Sequence, residues 1–107
     1  MFRVCAVAAF VFVLSTPADA DAIDGDWCDG KGRHLTISGP VITTPSGETL
    51  TGNYDRQAFT YIAPPRDDEP GLQVYLKLLS DDFMNFHYAR DGQLGEPELW
   101  RRCEVIS

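Results

Sequence analysis

Leu72-Gln73-Val74-Tyr75-Leu76-Lys77-Leu78 is the most regular stretch of the chain. Leu72, Val74, Leu76 and Leu78 alternate with Gln73, Tyr75 and Lys77. A period of two places the first set on a buried face and the second on an outer face, which is a β-strand. Downstream, Ser80-Asp81-Asp82 turns the chain, and Phe83 to Arg90 repeats the pattern with Met84, Phe86 and Tyr88 inward. Asp91-Gly92 favours a hairpin turn because both residue types tolerate positive φ. Glu98 to Val105 is the last strand and carries Trp100 and Cys103.

Upstream lies the longest loop, Pro64-Pro65-Arg66-Asp67-Asp68-Glu69-Pro70-Gly71, whose prolines and charges bar it from a ladder. Before it, Phe59, Tyr61 and Ala63 alternate with Ala58, Thr60 and Ile62. Thr49 to Tyr54 sets Leu50, Gly52 and Tyr54 against Thr49, Thr51 and Asn53. Val41 to Thr44 is short and β-branched, and His34 to Ser38 carries Leu35 and Ile37 on one face. The first run is Ile23-Gly25-Trp27 into Cys28. Turn-forming residues separate these runs, and none has helical periodicity. The expected fold is all-β: a small antiparallel up-and-down barrel or meander of about eight short strands.

The first twenty residues are read apart from that fold. Arg3 precedes the unbroken apolar run Val4 to Leu14, which Ser15, Thr16 and Pro17 end before Ala18-Asp19-Ala20. A charged start, an apolar centre and a small-x-small site make a secretory signal pattern. As a helix the run covers about 16 Å, short of the roughly 30 Å of a bilayer core. Cys5 lacks the preceding small residues of a lipidation site. The expected organisation is a signal peptide, 1–20, and a single β domain, 21–107, in a periplasmic or secreted location.

Cleavage before Asp21 removes one of the three cysteines and leaves Cys28 and Cys103. An even pair in an exported chain predicts a disulfide, which here would tie the first strand to the last and favour closure. Zinc binding would need companion ligands that the spacing does not provide. Lys and Arg number 9 against 16 Asp and Glu, a formal charge of -7, which excludes a nucleic-acid surface.

Gly25-Asp26-Trp27 and Trp100-Arg101-Arg102 resemble the lipocalin-like, or calycin, barrels. In that superfamily a Gly-x-Trp tryptophan plugs one barrel end, and an arginine of the last strand lies across its ring. The resemblance implies that Trp27 is a structural plug and that Arg101 or Arg102 covers it. The mature chain also looks like a group of small exported proteins of alpha-type proteobacteria with no assigned activity. The residues that carry this are Gly25-Asp26-Trp27-Cys28, Ile37-Ser38-Gly39-Pro40, Gly52-Asn53-Tyr54-Asp55-Arg56, Ala58-Phe59-Thr60-Tyr61 and Trp100-Arg101-Arg102-Cys103. That likeness implies a periplasmic home and names no function.

Catalytic constellations are not legible. His34 and His87 fall on outer-face positions; a metal site would need further ligands nearby and a general base an orienting acid, neither of which the sequence shows. Ser38, Ser46, Ser80 and Ser107 lie at turns, strand ends or the terminus, outside any nucleophile-elbow setting. Asp21, Asp24, Asp26 and Asp29 do not match a calcium loop, since Leu35 stands where the twelfth-position glutamate belongs, so they read as solvated charge. Asp67-Asp68 and Asp81-Asp82 are adjacent and diverge, which makes poor acid–base pairs. Tyr75, Lys77 and Phe83 are candidates for an outward aromatic patch. The expectation is a monomeric, non-catalytic domain without cofactor or membrane span that binds a protein or envelope component. One version is an inhibitor of a basic hydrolase that uses the Pro64–Gly71 loop. The alternative is a carrier of a small apolar ligand lined by Tyr54, Phe59, Tyr61, Leu76, Phe86 and Tyr88.

Overall fold

A computed structural model describes residues 22–103. The signal-peptide assignment, Asp21 and residues 104–107 lie outside the described residues. The elements are β1 (Gly25–Cys28), β2 (His34–Ser38), β3 (Val41–Thr43), β4 (Thr49–Thr51), β5 (Asn53–Tyr54), β6 (Ala58–Ile62), β7 (Gln73–Leu78), β8 (Phe83–Arg90), β9 (Gln93–Leu94) and β10 (Glu98–Arg102). They form one 10-stranded sheet in the order β4-β3-β2-β1-β10-β8-β7-β6-β5, with β9 on β8. Every pairing is antiparallel.

The two ends of that order are neighbours in sequence, so the sheet is nearly a closed barrel. Gly52 alone separates β4 from β5. One bent strand thus pairs with β3 through its first half and with β6 through its second. Only glycine fits the bend, because a Cβ there would lie 2.4 Å from the Thr60 carbonyl oxygen and 2.6 Å from a Phe59 ring carbon. The Gly52 amide donates across to the Pro40 carbonyl at 2.9 Å. The expected strand Thr49–Tyr54 is therefore a strand with a corner, and the corner allows closure without a free edge there.

At the other seam, β1 pairs with β10 only through Trp27↔Arg102 and Cys28↔Arg101. The Cys28–Cys103 disulfide reinforces this short ladder, with Cα atoms 5.1 Å apart across 75 residues of sequence. Alternation holds on every long strand. Leu35, Ile37, Phe59, Tyr61, Val74, Leu76, Met84, Phe86 and Trp100 are buried, and with Ile23, Trp27, Ile42 and Ala63 they form one core. Leu50, Tyr54, Leu78 and Tyr88 pack against its margin. The Asp91-Gly92 turn has φ of 53° and 78° and joins β8 to β9. β9 and β10 are the two halves of a second interrupted strand. Three residues, Gly95 to Pro97, separate Leu94 opposite Ala89 from Glu98 opposite Phe86, where a regular ladder would have two. The surplus residue is a β-bulge at Gly95–Pro97, pinned by the Gly95 amide on the Tyr88 carbonyl at 2.7 Å.

Candidate functional site

The barrel has two ends and an outer wall, and each holds residues singled out by sequence. The first end gathers the segment before β1 and the β2–β3, β5–β6 and β7–β8 turns. Trp27 closes it from inside and is fully buried. Its indole N–H donates to the Ile23 carbonyl at 2.8 Å. The Arg102 guanidinium lies 4.1 Å from the Trp27 ring centroid. It donates to the carbonyls of Ala22 (3.0 Å), Asp81 (2.7 Å) and Asp24. Gly25, with φ of 126°, leaves room for it, since a Cβ would stand 2.6 Å from Arg102 Nη1. Of the two arginines expected over Trp27, Arg102 takes the place. Arg101 points outward and lies 5.6 Å from the Phe83 ring. Strand alternation separates the neighbours, so only one can reach the interior.

Asp24 and Asp29 correct the expectation of solvated charge. Asp24 accepts from the Tyr54 hydroxyl and from the Gly39 amide, the latter at 2.8 Å. The Asp29 side chain is 4% exposed. It accepts from the amides of Lys31 (2.7 Å) and Arg33 (3.0 Å) and from Arg33 Nε at 2.7 Å. Burial opposes its ionisation, but these donors outweigh burial and hold the carboxyl below its ordinary value. Asp26 does sit at the surface, where it accepts from Thr36 Oγ1 at 2.8 Å.

The opposite end is built around Arg33, which no sequence pattern marked. Its guanidinium bonds Asp29 and Glu98 (2.6 Å) and lies 3.5 Å from Asp68. It sits 5.1 Å from the Trp100 ring and 5.5 Å from that of Phe86, two rings stacked at 5.0 Å. Burial favours the neutral form, but the bonds to Asp29 and Glu98 win and raise its proton affinity further. The Glu98 oxygen that meets Arg33 also accepts from the Trp100 indole at 3.3 Å.

The Pro64–Gly71 loop folds back over this end rather than projecting from it. Asp67 is buried and accepts from Thr44 Oγ1 at 3.0 Å and the Ser46 amide at 3.1 Å. Beneath lies Tyr61, 4% exposed, whose hydroxyl has no hydrogen-bond partner among the described residues. Burial, then the Asp67 carboxylate and Tyr88, push its ionisation well above the ordinary tyrosine value, against the opposing Arg33.

Of the six residues expected to line a ligand space, Phe59, Tyr61, Leu76 and Phe86 are buried in the core, and Tyr54 and Tyr88 pack against it. Tyr54 packs edge-on to Phe59 at 6.4 Å, Phe59 to Tyr61 at 6.2 Å, and Phe86 to Tyr88 at 5.2 Å. The clefts lie outside. One of about 630 Å³ runs along Gly30, Asp82, Phe83 and Arg101 beside the disulfide. Another of about 220 Å³ is lined by Thr60, Gln73, Tyr75, Ala89, Gly92 and Leu94.

Both histidines are on the wall. His34 is exposed beside Thr36 and Asp26. His87 is partly covered, with Nδ1 2.9 Å from the Gly95 carbonyl and its ring 6.0 Å from Tyr75. Among the described residues, no three of His, Cys, Asp and Glu group to hold a metal ion, and no helix is long and apolar enough to cross a membrane. Ile62, Leu94 and Leu99 are the wall residues that sequence reasoning passed over, each more than half exposed. Alternation had put Ile62 outside, but Leu94 belonged to no recognised run. Comparison of the chain with protein-family models, curated proteins and solved structures gave no match.

Proposed function

We propose that this chain is an exported, non-catalytic β-barrel domain that acts by binding another protein of the cell envelope through its outer surface. The packed interior carries this reading. Trp27, Phe59, Phe86 and Trp100 are fully buried in one core, and Arg102 at one end and Arg33 with the Asp67 loop at the other close it. Recognition then falls to side chains outside the barrel. A carrier of an apolar ligand would need interior space of roughly 300 Å³ or more, which Tyr54, Phe59, Tyr61, Phe86 and Tyr88 occupy. Export is supported by the signal pattern of residues 1–20 and by the Cys28–Cys103 bridge. The Arg102–Trp27 stack supports a lipocalin-like plug, cut down here to a barrel without a chamber. The acidic surface, at a formal charge of -7, favours basic partners.

The test is recovery of the tagged chain from envelope extract after chemical cross-linking and moderate salt washing, beside titration with the fluorescent apolar probe N-phenylnaphthylamine. A stoichiometric protein partner without probe fluorescence is the expected result. Saturable probe binding with no protein partner would replace this function with that of a carrier.

A further inference from the structure

The outer wall is chemically two-sided. Around β2, β3 and β4 the outward residues are mostly hydroxylic. Thr36, Thr43 and Thr49 share one cross-strand row, and Ser38, Thr51 and the apolar Val41 share the next. Around β6 to β10 the outward wall carries more apolar and aromatic surface. Ile62, Gln73, Ala89 and Leu94 stand in one row across four strands. Thr60, Tyr75 and His87 form the second row, and Ala58, Lys77, Asn85 and Leu99 the third. At strand spacing, Ile62 and Leu94 are about 14 Å apart, and the three rows span about 14 Å along the strands. Ile62 is 56% exposed, Leu94 52% and Leu99 57%. The 220 Å³ cleft opens between them, over Tyr75. Exposed Ile62, Leu94 and Leu99 around an aromatic ring and a shallow cleft have the make-up of an interface centre.

The border of this wall is acidic on one side. Glu69 in the loop after β6, Asp91 in the β8–β9 turn and Glu96 in the bulge between β9 and β10 lie at that end of the barrel, against the two cations Arg66 and Arg90. Arg90 is engaged by Glu69 at 3.3 Å. Asp91 and Glu96 form no ion pair among the described residues. Lys77 lies two rows away, on the far border.

We propose that the β6–β9 outer wall, centred on Ile62, Tyr75 and Leu94, is a docking surface for a protein whose apolar contact is bordered by lysine or arginine. This rests on the protein-binding function above and adds the face and the charge of the partner. Ile62, Ala89 and Leu94 supply desolvation. Asp91 and Glu96 supply steering and orientation, which act on the association rate and weaken with salt. A basic border on the partner meets two unpaired carboxylates there, whereas an acidic one, or a second copy of this chain in the same orientation, meets like charge.

The experiment places the photo-cross-linker p-benzoylphenylalanine at Ile62 or Leu94, and at Thr49 or Thr51 as controls, in the full-length chain made in its own cells. All four positions are exposed or on the exposed wall, and a urea midpoint on each purified variant verifies folding. Irradiation is expected to give one adduct from positions 62 and 94, absent from 49 and 51. Mass spectrometry is expected to identify a basic protein in it. A double change, Asp91→Lys with Glu96→Lys, is expected to cut that adduct by about tenfold. Adducts from positions 49 and 51 alone, or equally from all four, would overturn the assignment of this face and leave protein binding standing. An acidic partner, an adduct of twice the chain mass, or indifference to the double change would overturn the charge assignment. No protein adduct at any position, together with an empty cross-linked extract, would remove protein binding itself.

Discussion

Trp27 and Trp100 are both fully buried and both lie under an arginine, but the two arginines are held by different chemistry. Arg102 gives its protons to three backbone carbonyls, and Trp27 gives its own to a fourth. Arg33 gives its protons to carboxylates, and Trp100 shares one of them. Backbone acceptors do not titrate and are little affected by salt. Carboxylates respond to both. One end is therefore a fixed plug and the other an ionic clasp, although each presents an indole under a guanidinium. The plug holds the start of the domain to its last strand, where the ladder between β1 and β10 is only two residue pairs long. The clasp spans the gap above that ladder, between the β1–β2 loop and β10.

The largest effect is expected at the plug's seam. Cys28→Ser with Cys103→Ser removes a cross-link spanning 75 residues, worth about 4.5 kcal/mol in the chain-entropy model. A fall in urea midpoint of that order measures it, and mass measurement of oxidised and reduced protein verifies the bridge. A loss below about 1 kcal/mol would mean that the plug alone secures the seam.

Next come the two arginines. Arg102→Ala leaves three carbonyls without their donor and is expected to cost about 3 kcal/mol, nearly the same in low and high salt. Arg33→Ala is expected to cost about 1–2 kcal/mol in low salt, and less as salt rises, because two of its three carboxylate partners, Glu98 and Asp68, are exposed to solvent. Urea midpoints for both variants at two ionic strengths decide the matter. Equal salt dependence would erase the distinction between plug and clasp.

The clasp also carries a pH signature. The folded Asp29 carboxyl titrates below its ordinary 3.8, so its contribution is complete above that value and fades as pH falls through the lower folded one. Asp29→Asn is expected to cost about 1–2 kcal/mol at neutral pH. Parent and variant should converge in acid, and a gap that persisted below the folded value would assign the loss to packing rather than charge. The smallest effect is expected at Tyr61→Phe. Removing a buried hydroxyl that has no partner among the described residues should leave stability unchanged or raise it by up to about 1 kcal/mol. A clear loss in thermal melting would show that the hydroxyl is satisfied in solution.

The contrast between the two ends also explains what could be read before the fold was known. Strand alternation depends on near neighbours, so the inward set Phe59, Tyr61, Val74, Leu76, Met84 and Phe86 is legible in the chain, as is the Asp91-Gly92 hairpin. The Trp27 plug is half legible, since resemblance brings the last-strand arginines to it while side-chain parity selects Arg102. Arg33 is not legible. Its partners Asp68 and Glu98 are far away in sequence, and its own loop carries no apolar period. Asp24 and Asp29 look like solvated charge for the same reason. Only folding brings the Tyr54 hydroxyl and the Gly39 amide to Asp24, and only the turn aims the Lys31 and Arg33 amides at Asp29.

Local pattern alone established an all-β chain, its inward faces, its turns, its cysteine pair and its acidic balance. These follow from backbone periodicity and composition, which need no distant contact. Closure at Gly52, the Arg33 clasp, the packing of one core across all the strands and the alignment of Ile62 with Leu94 came from the assembled barrel. Each depends on the register between strands distant in sequence, and register is set by how the whole sheet curves to bury its core.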